Sequence, residues 1–193
     1  TYDDVSCAEE ALQIYLYQKQ FDKVQILLEK SHVNDKMLLD LYAKNRTFLK
    51  ASDLAYKLYE RENDVTYLAQ SAMFLYESTS NERSQELIEV VVERLGKAID
   101  EVKDPTYLNY LGYLMIENNM DLNDGIHYIK MALEKEPDSP YYLDSLAWGL
   151  YKQGKCTEAM IWMKKAKSFD KMDEEEMKQH YDAIDKCVSI SKN

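Results

Sequence analysis

The stretches PTYLNYLGYLMIENN (105–119) and PYYLDSLAWGLYKQG (140–154) decide the fold, because they repeat one pattern 35 residues apart. The residues that follow also align: NDGIHYIKMALEKEPD begins at Asn123, and TEAMIWMKKAKSFDKMD begins at Thr157. In both the first and the second segment of each copy, apolar residues recur at the spacings of three and four that are typical of an amphipathic helix. Proline in the first turn of a helix suits its fixed φ and its missing N–H donor. Each copy therefore predicts two helices joined by a turn.

The two copies resemble the tetratricopeptide repeat (TPR), a helix–turn–helix unit of about 34 residues. The resemblance rests on apolar and small residues where helix A of a unit crosses helix B, since a larger side chain there would push the helices apart. These repeat-packing residues are Leu111, Gly112, Gly125 and Ala132 in the first copy, and Leu146, Ala147, Ala159 and Ala166 in the second. Pro137 follows the first copy, as the family pattern implies.

The first hundred residues match the repeat less well, yet they also show paired helical patterns. The whole chain predicts five helix pairs at about 6–31, 34–61, 64–102, 105–136 and 140–169. The last stretch, DEEEMKQHYDAIDKCVSI, predicts one amphipathic helix that Asp173 can cap and that covers the end of the last repeat.

The fold class expected from this resemblance is all-α: a right-handed α-α superhelix (TPR-like solenoid) with a C-terminal capping helix. Three regions follow from the quality of the match. We expect degenerate repeats over 1–104, two well-matched units over 105–170 and the capping helix over 171–193.

Composition agrees with a helical chain and excludes several other classes of protein. Only 5 Gly and 3 Pro occur in 193 residues, too few for the turns of a β-sandwich or barrel. The net charge of −11 disfavours nucleic-acid binding, which needs clustered basic residues. No run of 18 apolar residues is present, so we expect no membrane insertion by this stretch of chain.

Motifs for catalysis, metals or cofactors are absent or fail on inspection. Residues 149–157 almost spell a phosphate-binding loop, but Cys156 replaces the required hydroxyl and the segment begins within a helix. Gly154 there is expected to end helix A in a left-handed turn. The three histidines, His32, His127 and His180, are isolated in sequence and are interpreted as residues of helix surfaces. We therefore predict no enzyme activity, no metal and no cofactor.

Three cysteines, Cys7, Cys156 and Cys187, lack the CxxC spacing of metal and redox motifs. They cannot all pair within the chain. We interpret them as small buried hydrophobic residues.

In the TPR family, helix A of each unit lines a concave groove that binds peptides or partner helices. Projected onto this sequence, the groove-lining positions are Asn109, Tyr113 and Ile116 in one unit, and Asp144, Trp148 and Tyr151 in the next. Tyr113 and Trp148 leave two interpretations open: they pack between neighbouring units, or they anchor a partner.

The projected positions also bear on the kind of partner. They lack the cationic clamp with which some TPR domains hold a terminal carboxylate, and Asp144 would repel one. The resemblance thus implies a scaffold or adaptor that binds an apolar or basic peptide or helix of another protein. The alternative is a sensor module whose superhelix flexes on peptide binding. The segment YLDSLAWGLYKQGKCTEA resembles segments of bacterial TPR proteins. This resemblance implies that the protein is located in the bacterial cytoplasm or periplasm, with any envelope attachment through a segment outside this sequence.

Overall fold

The computed structural model describes residues 2–79, 83–169 and 175–190. The regular structure in these ranges is entirely α-helical, with eleven helices and no strand. The helices are α1 (Tyr2–Tyr17), α2 (Phe21–Ser31), α3 (Asp35–Lys44), α4 (Phe48–Glu62), α5 (Val65–Glu77), α6 (Gln85–Glu101), α7 (Pro105–Glu117), α8 (Leu122–Lys135), α9 (Pro140–Lys152), α10 (Cys156–Lys167) and α11 (Glu175–Ile190). Among these described helices, none combines the length and the apolar character needed to cross a bilayer.

Two helices correspond to each of the five predicted segments, although α1 begins four residues before the predicted start and α4 ends one residue after the predicted end, and α11 occupies the place of the predicted final helix. The cap assigned to Asp173 lies outside the described residues. By their internal contacts the residues form two compact units, Thr1–Arg94 and Leu95–Asn193, and the boundary along the chain falls within α6. The division of the chain by repeat quality at residue 104 stays a prediction.

One turn recurs in four of the helix pairs. The residue that leaves the first helix has a positive φ of 56° at Lys19, 56° at Arg46, 50° at Asn119 and 77° at Gly154. Each time, the next N–H donates to the carbonyl five residues earlier at 2.9 Å, which satisfies an otherwise unpaired group of the helix end. The four bonds are Gln20 to Tyr15, Thr47 to Tyr42, Met120 to Met115 and Lys155 to Leu150. The predicted left-handed turn at Gly154 is confirmed.

Helices α7 and α8 touch backbone to backbone. A Cβ placed on Gly112 would lie 2.5 Å from the carbonyl oxygen of Gly125, and one on Gly125 would lie 2.8 Å from that of Gly112. No side chain fits at this crossing, which explains why glycine stands at both positions. All eight predicted repeat-packing residues are buried.

The second unit builds its core from the inner faces of α7 to α11. Its fully buried residues include Ile129, Leu146, Met163 and Ile184. Ile184 belongs to α11, which packs on α10 and α9 just as α9 packs on α8 and α7. The last helix thus occupies the position of a further helix A, and its outward side chains continue the surface of α7 and α9.

Candidate partner-binding surface

Three neighbouring helices of the second unit contribute rows of side chains to one surface, here called the groove surface. Its members recur at steps of about one helical turn. They are Asn109, Tyr113 and Glu117 on α7; Asp144, Trp148, Tyr151 and Lys152 on α9; and Glu176 and His180 on α11. Five of the six residues projected from the sequence are in this set.

The sixth projected residue, Ile116, does not lie on the surface, and placing it there was wrong. Its side chain is 0% exposed and packs into the core of the second unit, where it faces Gly125 and Gly149. The next residue, Glu117, faces the surface instead and accepts a hydrogen bond from Trp148 Nε1 at 2.7 Å.

Trp148 occupies the centre of the groove surface and is held from several sides. Its ring stacks on His180 at 4.1 Å between centroids and on Tyr151 at 4.9 Å. The Lys152 ammonium lies 5.0 Å from its ring centroid. The residue is nevertheless only half-buried. It therefore combines a fixed orientation with partial exposure.

Helix α11 supplies the row that the projection missed. His180 is buried, with Nδ1 2.9 Å from the Asp144 carboxylate, so its interpretation as a helix-surface histidine was wrong. The Tyr113 hydroxyl donates a hydrogen bond to Glu176 on the same helix. The signal for these residues was present as spacing: 176 and 180, like 113 and 117, are one helical turn apart.

The electrostatics of the groove surface are set by its carboxylates. Burial raises the pKa of Tyr113, and the hydrogen bond to Glu176 and the charges of Glu176, Glu117 and Asp144 raise it further. The hydroxyl therefore stays protonated at physiological pH and acts as a donor. All three carboxylates lie close enough to act on this one phenol.

Two acceptor atoms under the surface lack a partner among the described residues. Asp144 is 6% exposed; its Oδ2 takes the His180 contact, whereas its Oδ1 is buried without a hydrogen bond. Asn109, at the equivalent position of α7, likewise has a buried Oδ1 without a partner. Buried polar atoms are rarely left in this state, so both mark places where a donor is missing.

A disulfide links α11 to α10. It joins Cys156, the first residue of α10, to Cys187 near the end of α11, with Cα atoms 5.9 Å apart. Cys7 is a free thiol and is exposed. The interpretation as small buried hydrophobic residues is confirmed for Cys156, which is 5% exposed, and is wrong for the exposed Cys7. The pairing of Cys156 with Cys187 was not predicted, because it depends on contacts that the sequence does not display.

The remaining chemical motifs have local structural roles. Residues 149–157 form the end of α9, its turn and the start of α10. His32 contacts the Asp35 carboxylate at 2.8 Å. Within the part of the chain that the structure describes, no group of three or more His, Cys, Asp or Glu residues is placed to hold a metal ion.

Comparison with known proteins bears on the fold. No family model matches the chain, and no curated protein matches its sequence. The solved structure of MamA AMB-1 in form P212121 is similar, with 16% identity and a TM-score of 0.64 over 84% of this chain and 97% of that one. MamA MSR-1 in form C2 has 15% identity and a TM-score of 0.63 over 88% of this chain and 98% of that one. At this identity the likeness concerns the fold alone. MamA is a TPR-like helical solenoid, so the predicted all-α, TPR-like fold class is confirmed.

Proposed function

We propose that the chain is a protein–protein interaction scaffold or adaptor that binds a peptide or helix of a partner on the groove surface. A TPR-like helical fold is generally non-enzymatic and supports a binding function. The finer part of the proposal, a place within a larger bacterial assembly, rests on the resemblance of residues 142–159 to bacterial TPR proteins.

Trp148 carries the proposal. Aromatic side chains with a fixed orientation are preferred anchors at interfaces, because little conformational entropy remains to be lost on binding. Trp148 is oriented by Glu117, His180 and Tyr151, yet its side chain is only half-buried. This arrangement favours the anchoring interpretation while leaving Trp148 a share in packing.

Site-specific photocrosslinking tests the proposal directly. A benzoylphenylalanine at Tyr151 lies on the groove surface beside Trp148, whereas one at Ile161, which is 63% exposed on α10, lies on a helix B. In extracts of the source organism we expect a covalent adduct with one partner protein from position 151 and none from position 161. Adducts from position 161 alone would place the interface elsewhere.

A matched pair of tryptophan variants separates binding from folding. Trp148→Ala removes the groove residue, and Trp162→Ala removes the other tryptophan, which packs on the core from α10. We expect both variants to lower the melting temperature, and only Trp148→Ala to abolish the adduct at position 151. Equal loss of the adduct in both variants would mean that Trp148 acts through stability alone.

A further inference from the structure

The groove surface carries three carboxylates, and its one lysine, Lys152, lies over the Trp148 ring and forms no ion pair with them in the described residues. Glu176 accepts a hydrogen bond from the Tyr113 hydroxyl, Glu117 accepts one from Trp148 Nε1, and Asp144 contacts His180 Nδ1. The His180 ring stacks on Trp148 and lies 6.2 Å from the Tyr113 ring, so the three carboxylates surround one aromatic cluster. Among the residues that the structure describes, no lysine or arginine forms an ion pair with any of these three carboxylates. Their hydrogen-bond partners are His180, Trp148 and Tyr113, which are uncharged donors unless the histidine is protonated.

The unpartnered acceptors point in the same direction. Asp144 Oδ1 and Asn109 Oδ1 are buried at equivalent positions of α9 and α7 and receive no hydrogen bond from the described residues. A buried carboxylate oxygen without a donor is destabilising, so Asp144 holds a negative charge beneath the surface that is only partly satisfied by its contact with His180. An acceptor-rich site of this kind favours a ligand that is rich in donors.

The aromatic residues of the surface suit a cation as well. The ring of Trp148 already attracts the Lys152 ammonium, which lies 5.0 Å from its centroid. Trp is the aromatic side chain whose face attracts cations best. The ring is already contacted by His180, Tyr151 and Lys152, so it shows that a cation is tolerated on this surface, while the carboxylates supply the attraction for an arriving one.

We infer that the groove surface binds an arginine side chain of the partner segment, with Glu117, Glu176 and Asp144 as its counter-charges. Arginine fits better than lysine because its planar guanidinium offers several donors to several acceptors at once, whereas an ammonium is a compact point charge. The inference rests on the proposed function and narrows the partner from an apolar or basic segment to one that presents arginine.

A random peptide library tests this inference with synthetic ligands. Peptides of about 12 residues, long enough to span two helices A, are selected on the Trp162→Phe protein, in which Trp148 is the only tryptophan and its fluorescence reports on the groove surface. The best binder is then synthesised with each arginine replaced by citrulline, a neutral side chain of nearly the same shape. We expect selection for arginine, and a loss of about tenfold in affinity when the critical arginine becomes citrulline.

The protein side of the contact is tested with isosteric variants. Glu117→Gln and Glu176→Gln should each lower the affinity for the arginine peptide. In these variants the replacement of arginine by citrulline should change the affinity very little, as expected of a directly coupled pair. Glu134→Gln and Glu158→Gln are matched controls, because they remove one exposed carboxylate each from α8 and α10. They should change affinity by less than about twofold, since distant exposed charges are screened by salt.

The outcomes separate the two proposals. Apolar peptides that shift Trp148 fluorescence, with affinities unchanged in Glu117→Gln and Glu176→Gln, would overturn the arginine inference and leave the proposed function standing. Lysine peptides that bind as tightly as arginine peptides would also overturn it, because the argument depends on the guanidinium fork. A library that yields no peptide responsive to Trp148 would count against both.

Discussion

Replacing Gly112 by alanine tests the backbone contact between α7 and α8. The added Cβ would lie 2.5 Å from the Gly125 carbonyl oxygen and 2.7 Å from Ile129 Cγ1. An unstrained carbon contact needs about 3.5 Å, so α7 and α8 must separate by roughly 1 Å. The first obstacle is backbone and cannot rotate away. We therefore expect a cost near the upper end of overpacking, about 3 kcal/mol.

Part of this cost is offset by the helix itself. Alanine is favoured over glycine in a helix interior by about 1 kcal/mol, which leaves a net loss of about 2 kcal/mol in the free energy of unfolding. For a chain of this size that corresponds to a fall of about 4–8 °C in the melting temperature. Urea unfolding followed by circular dichroism measures the free energy, and a thermal melt checks it.

Two other glycines provide the controls. A Cβ on Gly96 meets no atom within 4 Å, so Gly96→Ala should stabilise the chain by up to about 1 kcal/mol. A Cβ on Gly149 has the side chains of Ile116 and Ile126 as its nearest neighbours, at 2.7 and 2.8 Å, and these can adjust. Gly149→Ala should therefore fall between the other two. A Gly112→Ala protein as stable as the wild type would refute the assigned crossing of α7 and α8.

Three further predictions follow from single contacts. Reducing the Cys156–Cys187 disulfide, whose cysteines are 31 residues apart, should lower the free energy of unfolding by about 2–4 kcal/mol. Thermal melts with and without dithiothreitol measure this loss, and an unchanged melting temperature would contradict the disulfide. Burial raises the pKa of Asp35, but hydrogen bonds, chiefly from Arg61 at 2.6 Å, outweigh burial and lower the pKa. The pair of Asp35 and Arg61 therefore stabilises the folded state fully above about pH 4, the usual pKa of an aspartate. This stabilisation is lost as the pH falls through the lowered pKa of the folded state. Asp35→Asn should flatten this acid dependence in urea titrations at about pH 7 and about pH 3, and a parallel dependence in both proteins would assign it to other carboxylates. Lys19→Gly should stabilise the chain by about 0.5–1 kcal/mol because its φ of 56° suits glycine, whereas a loss of stability would contradict the shared turn.

The turns explain why the sequence revealed two repeats clearly and the others poorly. Four helix pairs use the same left-handed turn, but only Gly154 indicates it clearly through its residue type. Asn119 is a weaker signal, and Lys19 and Arg46 give none, because lysine and arginine have no preference for the left-handed conformation and the turn shows itself only in its backbone hydrogen bonds. The helical periodicity was still sufficient to locate all five segments.

The groove surface was predictable in its centre and not at its edges. The repeat was sufficient to predict Tyr113 and Trp148. It could not decide whether Ile116 or Glu117 faces the surface, because a helical period of 3.6 residues allows either position one turn after Tyr113. Packing of Ile116 against Gly125 and Gly149 turns Ile116 into the core. His180 depends on how α11 docks, a contact between residues far apart in sequence. The sensor alternative, with a flexing superhelix, stays a prediction.

The disulfide also has a consequence for how the protein is made. Three cysteines allow three pairings, and the fold brings Cys156 and Cys187 to a Cα separation of 5.9 Å only after α11 has docked on α10. Oxidation before docking leaves the choice of pairing to chance, and the exposed Cys7 thiol is then a competitor. A chain that folds under reducing conditions and is oxidised afterwards should therefore form the Cys156–Cys187 bond, whereas a chain oxidised while unfolded should give mispaired and cross-linked species as well. A Cys156–Cys187 bond therefore indicates that α11 docked on α10 before the cysteines were oxidised.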